Sequence, residues 1–210
     1  MPRLRYGLAI LLFTLGVWGL PAVAAPDAPV LLVLGDSLSA GYGIDPARGW
    51  VARLEQRLNG DGRPWRVVNA SISGDTTRGG RARLPELLER WQPALVVIEL
   101  GGNDGLRGIS LEEMRANLEA MVDLALEREA RVLLVGVRLP PNYGPLYIDA
   151  FAAVFREVAR TRGVPLVPRF LDGVGGDDGL MQEDGIHPTA EAQPRLLENV
   201  WLVLGPLLAE

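Results

Sequence analysis

The chain contains a single histidine, His187, and neither cysteine nor lysine. Imidazole is the one side chain whose ordinary pKa puts a proton in play near neutrality, so acid–base chemistry would centre on His187. Without a thiol there is no cysteine nucleophile, thiolate metal site or iron–sulfur cluster. Without an amine there is no Schiff base, Ser-Lys dyad or phosphate-loop ATPase. A hydroxyl activated by the histidine remains. Its candidate is Ser37, where the apolar run Val30-Leu-Leu-Val-Leu34 breaks into Gly35-Asp36-Ser37. Asp184 lies three residues before His187, close enough in a tight loop to reach Nδ1 and fix one tautomer. A tetrahedral intermediate also needs donors aimed at its oxygen. The backbone amides of Ser37 and Gly74 and the side-chain amide of Asn103 could supply them. Each piece taken singly has an ordinary explanation: a turn tripeptide, glycine punctuation, a solvated histidine, a helix cap.

These residues need a scaffold that gathers them. Five apolar segments alternate with amphipathic ones. Strands are expected at Val30–Leu34, Trp65–Asn69, Ala94–Leu100, Arg131–Val137 and Val164–Val167; Glu99 is the only polar residue in the third. Helical spacing places Trp50, Val51, Leu54 and Leu58 on one face of Arg48–Leu58. Arg81–Trp91 reads as a helix with Pro85 in its first turn. Ser110-Leu-Glu-Glu113 fits a capping box opening a helix that carries Met114, Leu118, Met121, Val122 and Leu126. A further helix is expected from Asp149 to Arg160, and a last one after Pro188. Apolar strands separated by helices imply a parallel sheet covered on both faces, hence a three-layer α/β/α sandwich. Ligands in such folds sit beyond the carboxyl ends of the strands. Ser37, Gly74, Asn103 and His187 all follow apolar strands, on loops at that edge.

The first 25 residues read as a cleavable secretory signal. Arg3 and Arg5 precede a nearly unbroken apolar stretch from Gly7 to Leu20, and Ala22-Val-Ala-Ala25 offers cleavage after Ala24 or Ala25. The apolar stretch is shorter than the roughly 20 residues of a spanning helix. No stable membrane anchor is therefore expected after cleavage, and the protein would be periplasmic or secreted. Residues 26–210 are then one domain with room for a sizeable core. Losing the two arginines takes the formal charge from −5 to −7, which argues against nucleic acid as a partner. The default assembly is a monomer.

The blocks Gly35-Asp-Ser-Leu-Ser39, Gly74, Gly101-Gly-Asn-Asp104 and Asp184-Gly-Ile-His-Pro188 resemble the GDSL, or SGNH, hydrolase family, in its order and with its spacing. The strings VVNASISGDT, ELGGNDGLRG and RLPPNYG strengthen the likeness, which runs from Val30 into the last helix. It implies a flavodoxin-like fold with a five-stranded parallel sheet. Ser37 would be the nucleophile, His187 the base and Asp184 its orienting carboxylate. Ser37, Gly74 and Asn103 would form the oxyanion hole. It implies no cofactor and no metal, and substrates that are small acyl esters, thioesters or lysophospholipids. Leu139 and Pro140 become acyl-groove contacts, with plain loop packing as the alternative. Asp36 and Asp104 read as scaffold that holds Ser37 and Asn103.

Three other readings compete. The same fold and triad serve carbohydrate acetyl esterases and acyltransferases. A non-catalytic exported binding module would carry Ser37 as an incidental turn residue. A metal enzyme would have to use Glu183, Asp184 and Asp177 or Asp178. The Asp172–Gly179 segment itself is expected to be a mobile surface loop.

Overall fold

The computed structural model describes residues 28–62 and 65–208; the expected signal and its cleavage point lie outside them. Five strands form one parallel sheet: β1 (Val30–Gly35), β2 (Arg66–Asn69), β3 (Leu95–Glu99), β4 (Arg131–Val135) and β5 (Leu166–Val167). Their order is β2-β1-β3-β4-β5. The order reverses between β1 and β3, so a crevice opens beyond their carboxyl ends. Leu31–Leu34 and Leu95–Ile98 have no exposed surface. Strands covered on both faces need continuous apolar runs rather than alternation, and these two supply them.

Helices α3 (Thr77–Trp91), α5 (Leu111–Leu126) and α6 (Pro145–Arg162) pack together on one face of the sheet. Helices α2 (Trp50–Gly60) and α7 (Gln193–Leu207) cover the other. Two short helices, α1 (Ser37–Ala40) and α4 (Gly102–Leu106), follow β1 and β3 directly. The expected three-layer sandwich and five-stranded parallel sheet are the architecture observed. No helix among the described residues is long and apolar enough to cross a membrane.

Several local expectations need correction. Helix α3 begins four residues earlier than its apolar spacing implies, so Pro85 lies inside it rather than in its first turn. Gly80, near its start, serves a close contact. A Cβ on Gly80 would come within 2.2 Å of the Leu100 side chain. The Thr76 side chain caps the helix by accepting from Gly79 N–H at 3.4 Å. Ser110 does stand at the N-cap of α5, yet its side chain makes no capping bond. Glu113 reaches across to Arg78 on α3 at 2.7 Å instead, so an ion pair between helices replaces the capping box. Leu126 is 41 % exposed at the end of α5 and does not join the core. Helix α6 starts at Pro145, where proline's fixed φ suits a first turn, rather than at Asp149.

Candidate active site

Ser37 is the first residue of α1, two residues beyond the end of β1. The turn that puts it there is tight. A Cβ on Gly35 would fall 2.7 Å from Ser39 Cβ and 2.9 Å from Ser71 Oγ, so only glycine fits. Asp36 caps α1, its Oδ1 accepting from Leu38 N–H at 3.0 Å. Ser37 N–H, at a helix start, has no intrahelical acceptor and is available to a ligand.

From 150 residues away, His187 presents Nε2 to Ser37 Oγ at 2.8 Å. Its other ring nitrogen, Nδ1, lies 2.6 Å from Asp184 Oδ2. Asp184 Oδ1 accepts the amides of Ile186 at 2.9 Å and His187 at 3.0 Å. Partial burial opposes the charge on Asp184, but the bond from the His187 ring and the two amides outweigh it. Together they bring the carboxyl down to about 2. An ionised Asp184 selects the tautomer with its proton on Nδ1, which leaves Nε2 as acceptor for the serine hydroxyl.

The loop carrying Asp184 and His187 is pinned from both sides. Gln182 N–H donates to His187 C=O at 2.7 Å, and Met181 bridges antiparallel to Pro188. The Gln182 amide donates to Tyr42 C=O at 2.8 Å and Pro188 C=O at 3.0 Å. The Tyr42 ring rests 4.5 Å from the imidazole, centroid to centroid. Tyr42 and Gln182 were not evident from sequence, since neither belongs to a pattern that ties it to a histidine.

Asn103 lies in α4, just past β3, and its Nδ2 donates to Asp36 Oδ2 at 3.1 Å. Its Oδ1 faces Arg107 Nη2 at 3.5 Å. That arrangement fixes which end of the amide faces where, and it leaves the second N–H of Nδ2 for another acceptor. Gly74 has φ of 79°, a left-handed conformation suited to glycine, and its carbonyl accepts from Arg107 Nη2 at 2.9 Å. Arg107 thus ties Gly74 to Asn103. Asp104 does not hold Asn103; it accepts both N–H and Oγ–H of Thr77 and so anchors the start of α3.

A cleft of about 760 Å³ opens beside Ser37 and His187. Asn103, Leu139 and Pro140 line it, with Leu106, Ile148 and Met181 among its apolar walls. Gly74 is not among its lining residues. The Asp172–Gly179 segment is more than surface: Asp172, Gly173, Gly175 and Gly176 form part of the cleft wall, and Val174 is fully buried. Among the described residues no group of acidic or histidine side chains is placed to hold a metal ion.

The model of the GDSL-like lipase/acylhydrolase family matches residues 33–194, most of the chain. This chain belongs to that family. An esterase of Pseudomonas aeruginosa, TesA, is 60 % identical over 181 residues, covering 86 % of this chain and 90 % of the relative. The thioesterase 1/protease 1/lysophospholipase L1 of Escherichia coli is 44 % identical over 184 residues, covering 88 % of this chain and 87 % of the relative. Among solved structures, the psychrotrophic esterase EstA of Pseudoalteromonas superposes with a TM-score of 0.82 at 37 % identity, covering 86 % of this chain and 99 % of that one. Membership accounts for the spacing of the four blocks: the fold must bring all of them to one sheet edge. The chain is a hydrolase of this family.

Proposed function

We propose that the protein is a serine esterase that cleaves acyl esters and thioesters through an acyl-enzyme. Its relatives carry esterase, arylesterase and thioesterase/lysophospholipase names, which supports ester hydrolysis as the activity. The observation that carries the finer reading is the meeting of Ser37 Oγ, His187 Nε2 and Asp184 over an open cleft.

In this mechanism His187 takes the Ser37 proton as Oγ attacks the carbonyl carbon. The Ser37 and Gly74 amides and the Asn103 side chain receive the oxyanion. His187 then passes the proton to the departing alcohol or thiol, and water repeats the sequence on the acylated serine. Asp184 stays ionised throughout and stabilises the imidazolium. Leu139 and Pro140 contact the acyl chain. The EstA relative is described as inhibited by monoethylphosphonate, a behaviour expected of a nucleophilic hydroxyl. Apolar cleft walls favour acyl chains over acetylated sugars. Residues 1–25 are assigned as an export signal, which places the mature enzyme in the periplasm or outside the cell.

A panel of p-nitrophenyl esters and acyl-CoAs of rising chain length, together with an acetylated oligosaccharide, tests the reading. Wild type should hydrolyse both classes, while Ser37→Ala should lose on the order of 10⁴-fold or more in turnover. Turnover of acetylated sugars alone would favour the deacetylase reading, and no turnover at all would favour a binding module.

A further inference from the structure

Glu99 ends β3 with no exposed surface, and the mechanism above gives it no task. A carboxylate so placed should cost several kcal/mol unless it is paired or neutralised. Its surroundings offer little charge. Ser39 Oγ–H donates to Glu99 Oε2 at 2.7 Å, and Trp50 Nε1–H donates to Ser39 Oγ at 3.2 Å. Neither Glu99 nor Asp36 forms an ion pair among the described residues. Arg83 donates to the nearby Gly35 carbonyl but is engaged by Asp75 at 2.8 Å.

Glu99 Oε1 is the informative atom. It is buried and has no conventional hydrogen-bond partner. The Asp36 carboxyl lies in side-chain hydrogen-bonding range of the Glu99 carboxyl, to which the Asp36 backbone N–H also donates. Two carboxylates in contact repel, whereas a carboxylic acid and a carboxylate form a short, strong bond. One proton between the two groups therefore removes the orphan and halves the buried charge.

We propose that Glu99 is kept as a neutral acid that donates to Asp36, so that Asp36 stays a fixed acceptor and holds the Asn103 amide toward the oxyanion position. The order of burial favours the proton on Glu99. Burial is the largest influence on both groups. It raises Glu99 well above its ordinary value, with the charge of Asp36 adding to it and the bonds from Ser39 and the Asp36 N–H opposing it. It pushes Asp36 only to about 6, because the Leu38 amide and Asn103 oppose it. Near neutrality Asp36 is the charged partner and Glu99 the protonated one. The chain of donors then runs one way: Trp50 to Ser39, Ser39 to Glu99, Glu99 to Asp36, with Asn103 donating into Asp36 from the cleft side. Glu99 touches no substrate; it is a positioning residue acting through Asp36.

This inference rests on the serine-esterase reading, in which Asn103 serves the oxyanion, and its test separates the inference from that reading. Glutamine can replace a neutral acid here, its N–H donating to Asp36 and its carbonyl accepting from Ser39. Glu99→Gln should therefore keep kcat and KM for a p-nitrophenyl ester within about threefold of wild type. Glu99→Leu removes the donor and should lose on the order of 10²-fold in kcat with KM within about twofold, the signature of a transition-state donor set loose. Infrared spectroscopy of the wild type at neutral pH should show a carboxylic-acid C=O band that Glu99→Gln abolishes. A folded Glu99→Gln that loses on the order of 10²-fold in kcat, or a wild type without that band, would overturn the proposal, and both observations stand even if Glu99→Leu does not fold. Full activity in Ser37→Ala would overturn the parent reading together with this one. An inactive Ser37→Ala beside a crippled Glu99→Gln would overturn this one alone.

Discussion

Two carboxyl centres flank Ser37, and the protein treats them in opposite ways. Asp184 sits on a loop with its side chain 39 % exposed, collects three N–H donors and is held at about 2. Asp36 sits at the end of β1 with 2 % exposure and the carboxyl of Glu99 beside it, and is pushed up to about 6. The two aspartates have the same intrinsic acidity, so the difference lies in what surrounds them. Donors and water favour the anion at one centre, while burial and a second acid disfavour it at the other. The exposed centre is suited to stabilising a positive charge that appears and vanishes on His187. The buried centre is suited to keeping a neighbouring amide still.

The contrast breaks most visibly at Asp184. Asp184→Asn should keep the fold but deprive His187 of the charge that selects its tautomer. Turnover on a p-nitrophenyl ester should fall on the order of 10³–10⁴-fold. A loss below tenfold would mean that the exposed carboxylate does not orient the base.

Stability gives a smaller effect, of opposite sign at the two centres. Asp184, with its pKa lowered in the folded state, contributes stability that is present above the unfolded value of 3.8 and lost as pH falls toward about 2. Asp36 is raised, so the folded state holds a proton that the unfolded chain releases. Its contribution is present below 3.8 and is lost as pH rises through about 6. The two windows meet near the unfolded carboxylate value and can be separated by titration. Asp36→Asn should lessen the decline across this range, with buried Glu99 supplying what remains, so its urea-unfolding free energy should gain on wild type as pH rises from 4 to 7, by a few kcal/mol at most. A gap between variant and wild type that does not change with pH would erase the distinction between the centres.

How much of this was legible in the sequence follows the same divide. Asp184 and His187 are three residues apart, and local spacing alone suggests their contact. The apolar strands, the parallel sheet and the gathering of four blocks at one edge are also local patterns summed along the chain. Glu99 was visible as the lone polar residue of a seven-residue apolar run. What it faces depends on β1 and β3 being neighbours, which no local pattern states. The same limit explains Glu113, whose capping signature loses to an arginine on another helix. It also explains Gly80, whose purpose is a side chain brought over from the end of β3. Tyr42 and Gln182 hold the histidine loop only because the fold lays it across α1.

The central claim is that the Ser37 hydroxyl is the nucleophile, and covalent trapping tests it most directly. Treatment with a fluorophosphonate followed by peptide mass spectrometry should place one adduct on Ser37, with none formed in Ser37→Ala. An adduct on another residue, or an unlabelled protein that still hydrolyses esters, would contradict the account.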